Sequence, residues 1–398
     1  MSSRIKILLS ALMLAAMGCT DEGGTVQYTQ AIVQLQFSND AAIDDVEGIT
    51  ITATNADKGI QYSGQTDAFG ASEINVEPGK YTFSAQHKYS ADNTVYIFNG
   101  SCDDVLLFGS SDNVVNVSIE MTQSTEAQIV FREIYYTGCT GSDGTRYLYD
   151  QYVILHNNWS DTAYLDSLCL AHLYPTRATS KSYFAENDFD YTVAFNFAWQ
   201  FPGTGTDYPL APGEDVVVAP NCIDHVALGN DNSVDLSKSG YWACYSNGAN
   251  LTKQTSPATP EKLTLNLLWK QGSATSCISS CFDPAFVIWK IKGDVDEYLN
   301  NSICMDPSKS NSTMTFLQIP FDWIIDGVEC FDATNRNKRL PSQIDNGYAL
   351  NEASIGSGTS VVRIVDEEAS AEAGFTVYQD TNDSSLDFVT SYPPTLKE

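Results

Sequence analysis

Between residues 26 and 122 the chain alternates apolar and polar side chains with a period of two. In Ala31–Phe37, Val33, Leu35 and Phe37 fall on one side, and Gln34 and Gln36 on the other. In Gly48–Thr54, Ile49, Ile51 and Ala53 oppose Thr50, Thr52 and Thr54. Tyr81, Phe83 and Ala85 alternate with Lys80, Thr82 and Ser84, and Val115, Val117 and Ile119 with Asn116, Ser118 and Glu120. A period of two fits a strand with one dry face and one wet face, and excludes a helix. Turn-forming stretches separate these runs: Asn39-Asp40, Asp57-Lys58-Gly59 and Glu77-Pro78-Gly79-Lys80. The last has Pro and Gly at the central positions of a type II turn. The spacing predicts a small β-sandwich over residues 26–123.

The 398-residue chain has room for two or three domains. Its 21 Tyr and 18 Phe, with only 18% charged residues, extend the expectation of β-structure to the rest of the chain. Lys and Arg number 21 against 50 Asp and Glu, a net charge of −29. A nucleic-acid partner is therefore not expected, because a binder must neutralise phosphates with cations.

Residues 1–18 have the form of an export signal: Arg4 and Lys6, an apolar run from Ile7 to Ala16, then small residues. That run is too short to span a bilayer as a helix. It ends in Ala16-Met17-Gly18-Cys19, which resembles a bacterial lipobox. The resemblance implies cleavage before Cys19 and acylation of its side chain and amine, a firm anchor in a membrane. Residues 19–25 then form a tether with Asp21, Glu22, Gly23 and Gly24. Acidic residues directly after the lipidated cysteine resemble the surface-export signal of Bacteroidota lipoproteins, which implies the outer membrane and its outward face.

Gln65-Thr66-Asp67-Ala68-Phe69-Gly70, followed by Ile74–Glu77 and Pro78-Gly79-Lys80-Tyr81, resembles the carboxypeptidase regulatory-like domain, a transthyretin-type sandwich. Such domains serve as spacers or docking modules. Beyond it, residues 127–398 contain Arg132-Glu133-Ile134, a Tyr152–Asn157 strand, Leu210-Ala211-Pro212-Gly213, Ile325-Asp326-Gly327-Val328, Gly358-Thr359-Ser360 leading to Arg363, and Asp380 leading to Asp387-Phe388. That order resembles the bacterial lamin-tail domain, an immunoglobulin-like sandwich. It departs from the pattern at Arg132 and at Ile154, where the family has Asn and Glu. Residues 221–320 have no counterpart and are expected to be an insertion. The arrangement as a whole is similar to an uncharacterised family of Bacteroidota lipoproteins. The fold class expected is all-β: a small transthyretin-like sandwich followed by a larger lamin-tail-like sandwich with a long insertion.

Several side chains invite a chemical role. Cys277, Cys281 and Cys304 are spaced to form a disulfide in an oxidising compartment, while zinc would need ligands that are missing nearby. Asp380, Asn382 and Asp387 echo an oxygen-rich calcium loop, though the glycine of an EF-hand is absent. Polar residues bracing a turn before Phe388 are the alternative. Asp224-His225 has the composition of a catalytic pair, but no nucleophile elbow accompanies it, and strand neighbours point apart. His87 has no second ligand beside it. The run from Asn335 to Arg339 is the one basic cluster, able to meet an acidic partner or neighbouring acids. Thr162 and Ser167 sit in tripeptides resembling the O-glycosylation sequence of Bacteroidota exported proteins.

The sequence is therefore read as a non-catalytic surface lipoprotein that needs no cofactor, an accessory to an outer-membrane β-barrel of a TonB-dependent uptake system. The alternatives are a glycan-binding or adhesive module using Trp242, Trp269 and Trp289, and a cell-surface hydrolase with a site built from distant loops.

Overall fold

The computed structural model describes residues 28–91, 94–109 and 114–397. The expected leader (1–18), Cys19 and the tether (19–25) lie outside the described residues. Among the described residues no helix is long and apolar enough to cross a membrane.

The first unit is a sandwich of two sheets. Thr29–Gln36 lies between Ala71–Val76, to which it is antiparallel, and Val114–Glu120, to which it is parallel. The facing sheet runs Gln61–Gln65, Thr50–Asn55, Gly79–Ala91, Thr94–Leu107 and Thr122–Thr125. The alternation read from the sequence sets which side chains go inside. Val33, Leu35, Ile49, Ile51, Ala53, Tyr81, Phe83, Ala85, Val117 and Ile119 are all buried in one core. Each large apolar side chain buried there contributes about 1.5–3 kcal/mol.

One local expectation is corrected. Gly79 is not the left-handed residue of a type II turn: it opens the Gly79–Ala91 strand, and it is not among the glycines with positive φ. Asn55 shapes the neighbouring turn instead, its Oδ1 accepting from the backbone N–H groups of Asp57 and Lys58. A Cβ on Gly79 would lie 2.5 Å from Nδ2 of Asn55, so the glycine makes room for that side chain.

The second unit is a larger sandwich. One sheet runs Trp242–Ala243, Asp215–Ala219, Tyr152–Asn157, Ile129–Tyr135, Ser360–Arg363 and Phe388–Ser391. The other runs Ile303–Met305, Thr315–Pro320, Tyr191–Gln200, Leu168–Leu173, Ala285–Lys290, Ile324–Phe331 and Ala349–Leu350, with Asn266–Lys270 also paired to Tyr191–Gln200. Phe131, Leu155, Leu170, Trp199, Phe286, Ile288 and Val328 fill the space between the sheets. The outer face of the second sheet is covered as well, with Ala171, Leu173, Val287, Trp289, Leu317 and Tyr298 of the Val295–Asn301 helix forming a second apolar layer. Strands such as Tyr152–Asn157 and Leu168–Leu173 are therefore buried at every position.

The segment 221–320, read as an insertion, is integral in space. Its Ala285–Lys290 strand is central, paired on one side with Leu168–Leu173 and on the other with Ile324–Phe331. The continuous apolar run Phe286–Ile288 marks it as a strand, and burial on both faces is why that run lacks alternation.

The two sandwiches meet at the loop from Asp380 to Asp383. Nδ2 of Asn99 donates to the Thr381 carbonyl at 2.6 Å, the Ala127 N–H to Oδ2 of Asp380 at 2.9 Å, and Nδ2 of Asn382 to Oγ of Ser124 at 2.9 Å.

Candidate functional site

The residues that echoed a calcium loop form the polar centre of this junction. Asp383 caps the short helix Ser384–Asp387, its side chain accepting from the Ser385 N–H. Asn382 takes a left-handed φ of 51°, a conformation Asn tolerates better than most residues. The N–H and hydroxyl of Thr381 both donate to Asp387. The turn thus turns Asp380 and Asp387 toward Arg363, the last residue of the Ser360–Arg363 strand.

Arg363 is the hub. Its Nη2 lies 2.8 Å from Asp326 Oδ2, and its Nη1 lies 3.2 Å from Asp380 Oδ1 and 3.3 Å from Asp387 Oδ2. Nε donates to the Phe131 carbonyl at 2.8 Å, and the guanidinium lies over the Phe388 ring at 4.7 Å. All four charged residues are buried. One cation thus faces three carboxylates. Burial pushes the Asp326 carboxyl up to about 6 and that of Asp387 up to about 7, against the pull of Arg363. Asp345 lies beside this group, accepting from the N–H groups of Glu329 and Ser384. Burial pushes it up to about 6, opposed by Lys338.

This geometry replaces the calcium expectation for Asp380, Asn382 and Asp387. The carboxylates are turned to a guanidinium, and Asn382 is turned to Ser124. Among the described residues no group of three or more His, Cys, Asp or Glu side chains is arranged to hold a metal.

A second feature is an apolar cavity of about 40 Å³ between the sheets of the larger sandwich, lined by Leu170, His172, Phe197, Trp199, Cys244 and Phe286 among others. Nε2 of His172 and Nε1 of Trp199 are buried and have no protein hydrogen-bond partner. Burial, reinforced by Arg339, pushes His172 down to about 4, so the ring is neutral at pH 7. The space is of water size, since one water needs ~10–15 Å³ on this measure.

The other side chains picked from the sequence are placed as follows. His225 is buried, with Nδ1 2.7 Å from the Tyr147 hydroxyl and Nε2 3.0 Å from the Asn221 carbonyl, while Asp224 accepts from the Ala227 N–H in a turn. The two do not act on a common atom. The basic run meets internal partners, which is the neighbouring-acid alternative read from the sequence. Arg336 pairs with Asp332 at 2.6 Å, buried Arg339 pairs with Glu329 at 2.7 Å, and Lys338 donates to the Asp345 and Gly347 carbonyls. His87 is half-buried, which lowers its pKa. Trp242 and Trp289 are buried, and Trp269 is half-buried. Thr162 and Ser167 are exposed.

The cysteine expectation changes partner. Cys277, Cys281 and Cys304 are free thiols: Cys281 lies beside Gln151, and Cys304 sits on the edge strand Ile303–Met305. Cys277 is instead beside Cys244. Its Sγ lies 3.8 Å from the Cys244 carbonyl, and the two thiols are in hydrogen-bond contact. Sequence spacing could not disclose this pair, because the two cysteines come from separate loops against the inter-sheet core. The Asp326–Arg363 pair was also not singled out, although both residues stood within the motifs quoted for the larger domain.

Comparison with known proteins adds the following. Residues 211–395 match the family described as "Protein of unknown function (DUF4876)". The crystal structure of a DUF4876 family protein from Bacteroides thetaiotaomicron VPI-5482 is similar over 91% of this chain and 94% of that chain, at 25% identity and a TM-score of 0.59. The major pilin subunit of Bacillus cereus is matched over 43% of this chain and 45% of that chain, at 13% identity and a TM-score of 0.17, which carries no argument. No curated protein matches the chain. The expected similarity to an uncharacterised family found in Bacteroidota is supported by the first two findings.

Proposed function

We propose that the chain is a non-catalytic lipoprotein, anchored through Cys19 to the outer membrane, facing outward and serving as an accessory to a β-barrel of a TonB-dependent uptake system. The observation that carries this reading is where its charged groups are spent. Arg363, Arg339, Asp326, Asp387, Glu329 and His225 hold strands and loops to one another in the interior. The chemistry read from them is that of a rigid scaffold. Convergence of Asp326, Arg363 and Asp387 from three distant motif segments also supports a lamin-tail-like core, and the paired sheets of residues 29–125 support a regulatory-like spacer ahead of it.

An adhesive or glycan-binding role is the second reading. It moves from the buried Trp242 and Trp289 to two exposed aromatics, Trp159 in the bend after Tyr152–Asn157 and Tyr164 on the short Ala163–Tyr164 strand.

The test is surface proteolysis of intact cells, combined with the intact mass of the membrane-extracted chain. The proposal expects a diacyl or triacyl adduct on a chain beginning at Cys19 and cleavage without lysis. An unmodified amino terminus, or full protection until the cells are broken, would overturn it.

A further inference from the structure

Among the described residues, five of the six large exposed apolar side chains of the small sandwich lie at one end. Tyr28, Ile60, Leu106, Phe108 and Val114 are all exposed, Phe108 by 65%. The pairing brings them together. Thr29 lies opposite Val76, and Gln30 beside Val114. Oγ1 of Thr29 donates to the Phe108 carbonyl at 2.9 Å. Lys80 pairs with Leu106, and the Ala56 N–H in the turn carrying Ile60 bonds the Lys80 carbonyl. Five separate side chains from four segments thus surround the start of the first strand.

The opposite end differs. Among the described residues Phe69, 84% exposed, is the one large exposed apolar side chain there, next to the Leu35–Gly70 backbone bond. The junction with the larger sandwich also lies away from the apolar end. Gln86 and Asn99 reach Thr381 at a level seven residues along the strand from Gly79, roughly 23 Å at ~3.3 Å per residue.

The apolar end is also where the chain arrives from Cys19. Eight residues separate Cys19 from Tyr28. Fully extended, that stretch spans at most roughly 30 Å. Charge at this end is net negative: Lys58 pairs with Glu77 at 3.3 Å and Lys80 with Asp104 at 2.6 Å, while Asp57 and Asp103 have no matching cation among these groups. That excludes attraction to an anionic surface by charge, so a membrane contact here rests on the apolar side chains. Tyr, Phe, Leu and Ile side chains around paired charges match the headgroup boundary, where aromatic and aliphatic tips enter and charges stay wet.

We infer that Tyr28, Ile60, Leu106, Phe108 and Val114 form a membrane-contacting end that seats the small sandwich on the lipid surface and raises the larger sandwich away from it. The inference rests on the lipid anchor proposed above.

The test uses the full lipidated chain in vesicles of phosphatidylcholine, with and without bromine on the acyl chains. Two variants, Phe108→Trp and Phe69→Trp, each add an exposed indole. Flotation with the vesicles reads the anchor, and bromolipid quenching reads the seat. Quenching of the indole added at position 108, with none at position 69, is the expected result. Flotation without quenching at 108 would overturn the seat and leave the anchor standing. Quenching at both positions would show a chain lying flat and would overturn it too. Shielding of position 108 from aqueous iodide without bromolipid quenching would assign the end to contact between copies of the chain and would overturn the seat. Failure to float would remove the anchor and the seat together.

Discussion

Arg363 donates to Asp326 across 2.8 Å inside the protein, joining the last residue of a strand in one sheet to a strand of the sheet that faces it. The same guanidinium reaches Asp380 and Asp387 on the loop that touches the small sandwich. The ion cluster therefore fastens three things at once: the two sheets of the larger sandwich and the joint between the units.

Removing the cation should be costly. Arg363→Met leaves three buried carboxylates without their counter-charge, and breaking a buried pair from one side costs about 3–5 kcal/mol. Denaturant unfolding of the full chain is expected to show a loss of that size. A loss below about 1 kcal/mol would mean that water reaches the cluster.

The cluster also sets a pH dependence. Asp326 and Asp387 have carboxyls pushed up to about 6 and about 7 by burial. A carboxyl that holds its proton more tightly when folded stabilises the fold as it is protonated. Their contribution should rise as pH falls from about 8 to 5, and level off below the unfolded value near ~3.9. His172, pushed down to about 4, works the other way as pH falls below its unfolded value. Comparison with Asp387→Asn isolates one group: the advantage of the wild type over the variant should grow between pH 8 and pH 5. A constant advantage over that range would show that Arg363 holds Asp387 ionised throughout.

Cys244 and Cys277 are neighbours against the inter-sheet core, and burial pushes the Cys244 thiol up. In an exported protein an oxidised pair is expected there. Peptide mapping without reductant should recover a Cys244–Cys277 link. A Cys277–Cys281 link would contradict the geometry.

The small sandwich depends on one close approach. A Cβ at Gly100 would lie 2.5 Å from the Glu120 carbonyl oxygen and 2.6 Å from Cγ2 of Ile119. Gly100→Ala forces the two sheets apart, at a cost of about 1–3 kcal/mol in thermal or denaturant unfolding. A neutral effect would mean that the sheets slide easily.

What could be read from the sequence followed burial. The small sandwich was legible because its strands have one wet face, so Val33, Phe83 and Ile119 announce themselves by period. The larger one was legible in part: Tyr152–Asn157 was read as a strand through its motif, while Leu168–Leu173 was not read as one. Tyr152–Asn157 and Leu168–Leu173 are dry on both faces, and alternation disappears. The ion cluster was half legible. Asp326, Arg363, Asp380 and Asp387 each stood in a quoted motif, but their meeting depends on Ser360–Arg363 pairing with both Ile129–Tyr135 and Phe388–Ser391. Pairing between distant segments leaves no local trace, and the acids were read as oxygen ligands because their cation lies elsewhere in the chain.

The accessory scaffold proposed above differs from a lone enzyme or adhesin in holding a membrane partner. A mild-detergent pull-down of the tagged, natively lipidated chain from its own membranes, read by mass spectrometry, tests it most directly. The account expects an outer-membrane β-barrel at stoichiometric yield. Recovery of the free monomer alone would contradict it.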